Sequence, residues 1–177
     1  EVRRLVSSEF SVLSEKYQRF FYPITDSSSA IEYLRQRRVP EKIFPLLRFY
    51  FVDDDDLRKH VDKSEIGKFT SFNRSIVFPF WTSDKRIYGF QSRSLYEKSF
   101  HIELQDKTYP KLWNLFRVDL DKPVYIFEGF FDSIVIDNSI ALNGADIGAN
   151  YLREIKKPVF VFDHDETGRK KAAKYCE

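Results

Sequence analysis

A chain of 177 residues with 42% apolar, 32% charged and 17% aromatic residues can build one or two compact cores and is too apolar for a disordered tail. It lacks the run of about 18 to 20 apolar residues that a membrane span needs. One cysteine, Cys176, and three histidines, His60, His101 and His164, exclude a disulfide framework and a multi-cysteine zinc site, so the reducing cytoplasm is the expected compartment. The net charge divides into +5 over residues 1–118 (21 Lys and Arg against 16 Asp and Glu) and −3 over residues 119–177 (8 against 11). That asymmetry suits a protein that guides a polyanion toward a bound metal, and equally suits two ordinary solvated surfaces.

The sequence opens on Glu1 and contains no Met, so a fragment or processed chain is expected. Val2, Leu5, Val6, Leu13 and Tyr17 predict a linker helix over 1–24 arriving from an upstream domain. Asp26 and Ser27 to Ser29 then offer N-caps for a helix with an Ala30, Ile31, Leu34 stripe. Arg35, Arg37 and Arg38 fall in its last turn, and Pro40 follows its stop. A second short helix (Ile43, Leu46, Leu47) leads into a strand over 48–52. The run Asp53 to Asp56 reads as a solvated cap or loop ahead of Leu57, because adjacent carboxylates cannot all converge on one ion. Gly67 and Lys68 mark the connection to the sheet that follows.

Residues 75–81 and 86–93 are rich in β-branched and aromatic side chains and flank the turn sequence Thr82-Ser83-Asp84-Lys85, which predicts a hairpin. Pro79 puts its first strand at a sheet edge or a bulge. Residues 99–104 predict a third strand. Beyond residue 119 the pattern changes: short apolar runs at 124–127, 140–142 and 159–162 alternate with helical stretches at 130–138, 147–156 and 167–175. Such strands read as buried on both faces of a parallel sheet with right-handed crossovers. Chemistry in these sheets gathers beyond the carboxyl ends of the strands.

Acids stand at those ends. The first strand runs into Glu128-Gly129-Phe130-Phe131-Asp132 and the third into Asp163-His164-Asp165-Glu166-Thr167-Gly168. Glu128 and Asp132, one helical turn apart, can face one point. Asp163 and Asp165 share a side of an extended segment, which points His164 away into packing. Four converging carboxylates need a cation, and oxygen-only ligands select Mg²⁺ or Mn²⁺. Either motif alone is common as a cap; it is their conjunction, each after an apolar strand, that carries the signal.

This conjunction resembles the Toprim domain, the metal-binding fold of bacterial-type primases, topoisomerases and some nucleases, over residues 119–177. Asn143-Gly144-Ala145 is similar to the small-residue turn that faces the metal in that family, and also reads as an ordinary left-handed turn. The preceding residues resemble the N-terminal subdomain of the RNA-polymerase core of DnaG-type primases, bacteriophage members especially. The carrying motifs are Ile31-Glu32-Tyr33-Leu34 with Arg38-Val39-Pro40, Asn73-Arg74-Ser75-Ile76-Val77-Phe78-Pro79, Ile87-Tyr88-Gly89-Phe90-Gln91-Ser92-Arg93, Lys98-Ser99-Phe100 and Lys111-Leu112-Trp113-Asn114-Leu115. Gln91-Ser92 departs from a glycine pair and Trp113-Asn114 from Tyr-Gly. The family's third acidic motif and its zinc domain have no counterpart within these residues.

The resemblance implies an α/β fold: a Toprim-type parallel sheet (119–177) preceded by a mixed α+β, basic N-terminal subdomain (25–118). It implies a DNA primase that makes short RNA primers on single-stranded DNA by metal-dependent nucleotidyl transfer. Glu128, Asp163 and Asp165 would be catalytic and, with Asp132, hold Mg²⁺ or Mn²⁺, with no zinc in this stretch. Arg74, Arg93, Lys98 and Lys111 would contact template, primer or ribonucleoside triphosphate. Phe78, Phe90, Phe100 and Trp113 read as core or as base-stacking rings. A replicative helicase would be a partner, and the cytoplasm of an infected bacterium the place of action. A Toprim-type nuclease and a non-catalytic replisome DNA-binding module remain the alternatives.

Overall fold

Among the described residues, eight strands form two sheets. An antiparallel sheet in the order β1-β2-β3-β4-β5 contains β1 (Phe21–Pro23), β2 (Arg48–Tyr50), β3 (Ser75–Trp81), β4 (Ile87–Ser94) and β5 (Phe100–Leu104). A parallel sheet in the order β7-β6-β8 contains β6 (Pro123–Phe127), β7 (Ser139–Ala141) and β8 (Lys157–Val161). Among the described residues the α-helices include α1 (Ser28–Gln36), α2 (Ile66–Thr70), α3 (Phe130–Ser133), α4 (Ala149–Glu154) and α5 (Glu166–Cys176). The computed structural model describes residues 19–176 except 54, 56–58, 60–62, 65, 71, 85 and 105. Residues 1–18 of the linker predicted over 1–24, and the start of the segment at Leu57, lie outside the described residues. The architecture is mixed α/β, as the residue pattern predicts. No helix among the described residues is long and apolar enough to cross a membrane.

The chain divides into two compact units between Tyr109 and Pro110. In the first, the β3–β4 hairpin forms because seven residues on each strand find partners, from Ser75 with Ser94 to Trp81 with Ile87. Every residue of β3 is buried. Phe20, Phe21, Tyr50, Phe72 and Phe90 interlock edge-on or tilted, with centroids 4.3 to 5.8 Å apart. Aromatic pairs at such separations add to the burial of their area. Gly89 is required on β4, because a Cβ there would lie 2.6 Å from the Glu103 carbonyl oxygen of β5. Ser27 caps α1 by accepting the Ala30 N–H at 3.3 Å.

Three expectations need correction in this unit. Residues 21–23 form a strand rather than the end of a linker helix, because Phe21 pairs with Tyr50 across β2 and is buried. Pro79 meets the edge-or-bulge expectation only locally, because β3 as a whole is an inner strand. Strand β2 reaches only Ser75–Val77, so a missing N–H at Pro79 is absorbed where β3 has no partner on that side, and the register shifts one residue later, at Phe80/Trp81. The second short helix is a 3-10 helix, Glu41–Leu46, with Pro45 inside it.

In the second unit, Leu112, Leu115, Val124, Ile126, Ile140, Leu142, Ile147 and Ile155 form one buried cluster. Segment 110–118 belongs to it through Trp113, which exchanges backbone hydrogen bonds with Ala141 at 3.0 and 3.3 Å. The strands are not buried on both faces as expected. Tyr125, Val159 and Val161 are exposed, since β8 is a sheet edge and only alternate residues of β6 face the core. The helix expected over 130–138 is a single turn, α3, after which the chain bends into Asn138, at φ 57°, to start β7.

Candidate metal centre and nucleic-acid interface

The parallel register aligns three strand exits. Phe127 lies between Ala141 of β7 and Val161 of β8, so Glu128, the turn after β7 and Asp163 leave the same edge of the sheet. Pairing continues past the strands, with the Leu142 N–H donating to the Phe127 carbonyl and the Asn143 N–H to that of Glu128, both at 2.9 Å. Asn143 and Gly144 then turn at φ 52° and 80°, the left-handed turn expected there. Both polar side-chain atoms of Asn143 are buried without a hydrogen-bond partner.

Glu128 is half-buried. Its Oε2 accepts a 2.8 Å bond from the Lys171 ammonium of α5, and its Oε1 is buried without a partner. Gly129 is in ordinary extended backbone, φ −114° and ψ 154°, so its small size serves space rather than a special turn. A Cβ there would approach Asp132 Oδ2 to 3.2 Å. Asp132 itself is exposed in the first turn of α3.

The third exit differs from its expected form. The chain bends at residues 164 and 165, so strand alternation does not relate Asp163 to Asp165. Asp165 becomes the cap of α5: its Oδ1 accepts the Gly168 N–H at 2.8 Å and its carbonyl the Arg169 N–H at 3.1 Å. Asp163 is exposed, and so is His164, which corrects the packing role expected of it. Among the described residues, no three His, Cys, Asp or Glu side chains come close enough together to hold a metal ion. The donor set is nonetheless all oxygen, and the spare, buried Oε1 of Glu128 suits a hard cation such as Mg²⁺ or Mn²⁺.

A clasp fixes the far end of α5. Asp146 Oδ2 meets Lys174 Nζ at 2.7 Å, and its Oδ1 accepts the Tyr175 hydroxyl at 2.9 Å. That hydroxyl in turn accepts the Ile147 N–H, and the ring stacks on Phe160 at 4.7 Å. Hydrogen bonds from Lys174 and then Tyr175 hold the Asp146 carboxyl below its ordinary value. A carboxyl depressed in the folded state stabilises above its unfolded pKa, and the contribution is lost as pH falls through the folded value. Asp146→Asn is therefore expected to lower the melting temperature at pH 7 and to match the parent once pH drops well below 4. Thermal melts at both pH values check this; an equal deficit at both would assign the loss to packing.

The predicted basic residues fall in both units. Arg74, Arg93 and Lys98 belong to the first, around the end of the β3–β4–β5 ladder where Ile76, Arg93 and Phe100 sit abreast. Arg74 is exposed at φ 54°, with its guanidinium 5.8 Å from the Phe51 ring centre and 5.9 Å from that of Tyr96. Neighbouring Asn73 fixes this turn by bonding both backbone groups of Val52, at 2.8 and 3.1 Å. Arg93 is half-buried, with Nε buried and unpartnered, and Lys98 is exposed. Lys111, exposed, belongs to the second unit. Phe78, Phe90 and Trp113 are core, whereas Phe100 is 61% exposed. Tyr96, 68% exposed beside Arg74, escaped the residue-by-residue reading. Its place next to Lys98, in a turn after a strand, was the available signal.

No family model matches the chain. It is 23% identical over 144 residues to the DNA primase of Enterobacteria phage T4, covering 80% of this chain and 42% of that protein. The Aquifex aeolicus primase structure, comprising zinc-binding and RNA polymerase domains, superposes with a TM-score of 0.69 at 19% identity, over 98% of this chain and 51% of that one. A DnaG primase catalytic domain bound to single-stranded DNA gives 0.67 at 18%, over 97% and 65%. The chain thus spans roughly half or less of the first two relatives. These superpositions show that the fold of this chain is that of the DnaG primase catalytic core.

Proposed function

We propose that the chain is part of a DNA primase, a nucleotidyltransferase that makes short RNA primers on single-stranded DNA. The observation that carries this reading is an acid-bearing strand exit, Glu128 at the end of β6, inside a fold matched over 98% of the chain by a primase. The phage primase relative supports it.

In this reading residues 119–177 are a Toprim domain. Glu128, Asp163 and Asp165 hold Mg²⁺ or Mn²⁺, with Asp132 as a further ligand. When bound, the ion lowers the pKa of a 3′-hydroxyl and neutralises charge on a triphosphate. Glu128 supplies its free Oε1, and Asp165 is the less available ligand while it caps α5. Arg74, Arg93, Lys98 and Lys111 hold phosphates. The two arginines are suited to bidentate contact, and the lysines act as point charges. Phe100 and Tyr96 offer faces on which bases stack. No covalent nucleophile is needed. A replicative helicase and the cytoplasm of an infected bacterium complete the proposal.

The test supplies single-stranded DNA, ribonucleoside triphosphates and Mg²⁺ to the chain extended to the length of its relatives. RNA oligomers made without a primer support a primase. Metal-dependent shortening of the DNA without synthesis would instead indicate a nuclease, and neither activity a binding module. A companion measurement follows DNA affinity against salt. Arg74→Ala, Arg93→Ala and Lys111→Ala are each expected to reduce the slope of log affinity on log salt by about 0.7, one phosphate contact on a single strand. Unchanged slopes in all three would return these residues to ordinary surface.

A further inference from the structure

Lys171 was not anticipated at the acidic strand exits. It reaches from α5 to Glu128, 43 residues away in sequence, and the two side chains are only 22% and 20% exposed. The other lysine pairs of α5 are far more exposed, Lys170 with Glu166 at 76% and 77% and Lys174 with Asp146 at 55% and 58%, where solvent screening weakens the interaction. A carboxylate removed from water needs a counter-charge, and here the ammonium supplies it on Oε2 while Oε1 remains buried and unpartnered. A divalent cation taking Glu128 as ligand brings its charge against that ammonium. The four-carbon stem of a lysine allows the head to swing toward solvent when displaced.

We propose, resting on the reading of Glu128 as a metal ligand, that Lys171 is a resident counter-ion. It positions Glu128 when no metal is bound and competes with the divalent cation for it, so that it keeps metal affinity weak. Lys171 is a positioning residue; it acts through Glu128.

The test is Mn²⁺ titration, by calorimetry and by water-proton relaxation, of the parent, Lys171→Met, Lys171→Gln, Lys171→Arg and Asp163→Ala. Lys171→Met and Lys171→Gln are expected to bind Mn²⁺ roughly tenfold more tightly than the parent, since a like charge has left the site. Lys171→Arg, which keeps the charge, stays near the parent. In chelator, Lys171→Met melts about 2 to 4 °C lower, and adding Glu128→Gln restores the loss. A purely structural lysine predicts the opposite sign, unchanged or weaker metal binding. Lys171→Gln keeps a donor toward Oε2, so it covers the case in which Lys171→Met does not fold. Equal affinity in parent, Lys171→Met and Lys171→Gln, with a loss in Asp163→Ala, overturns the competition while the metal centre stands. No Mn²⁺ binding in any variant overturns both.

Discussion

Glu128→Gln is expected to lower primer synthesis on single-stranded DNA by at least about 100-fold, the scale reached when even the supports of a metal ligand are removed. The substitution keeps the side chain's shape and its acceptor oxygen but deletes the charge that a hard cation requires. Lys171 then loses its ion-pair partner, and its long stem lets the ammonium reach water, so the fold should survive. Far-UV circular dichroism and a melting curve within a few degrees of the parent separate loss of chemistry from loss of structure. Asp121→Asn is the control. Its partner is Lys156 in a surface pair with side chains 69% and 75% exposed, and synthesis should be unchanged. Synthesis retained in Glu128→Gln would remove Glu128 from the catalytic role and, with it, the proposed centre.

The largest stability effect is expected at Gly168. This residue is the only buried member of the first turn of α5, and a Cβ on it would overlap the carbonyl oxygen of Asp163. Backbone, unlike the tip of a flexible side chain, cannot step aside without moving the loop. Gly168→Ala should therefore cost about 3 kcal/mol, the upper range for overpacking, measured by urea denaturation. The same displacement shifts Asp163 and strains the cap in which Asp165 accepts the Gly168 N–H. Metal affinity should thus fall together with stability. An alanine variant as stable as the parent would mean that the close approach at 163–168 relaxes freely, and Asp163 would not be held in place by it.

Much of this architecture was legible in residue order. The alternation of short apolar runs with helical stretches after residue 119 gave the parallel unit, and the turn sequence at 82–85 gave the β3–β4 hairpin, because each depends on local pattern. What depended on distant partners was not legible. Phe21–Pro23 is a strand only because β2 lies beside it, and nothing in those three residues overrides a helical reading of the segment before them. The helix after Glu128 stops at Ser133 since Ser139 must already pair with Tyr125. At the site, Glu128 and Asp163 follow their strands as the pattern required. Asp165 turned instead to capping, a local competition that its spacing to Gly168 could have revealed. Lys171 could not be found from the sequence, since its partner is 43 residues away and three other cations, Arg169, Lys170 and Lys174, crowd the same helix.

Arg74 carries an unequal exchange between fitness for use and ease of folding. At φ 54° an L-residue sits about 1 kcal/mol above what glycine would require in the same backbone, and Arg has no local side-chain bond of the Asn or Asp kind to offset it. Glycine would be the conformationally cheaper choice at this turn, yet it would delete the guanidinium that lies against Phe51 and Tyr96. Selection for thermostability alone would therefore drift toward Gly at position 74 and away from the cation. On the proposed reading of Arg74 as a phosphate contact, strain kept at an exposed charged position is the pattern expected of a residue retained for what it binds.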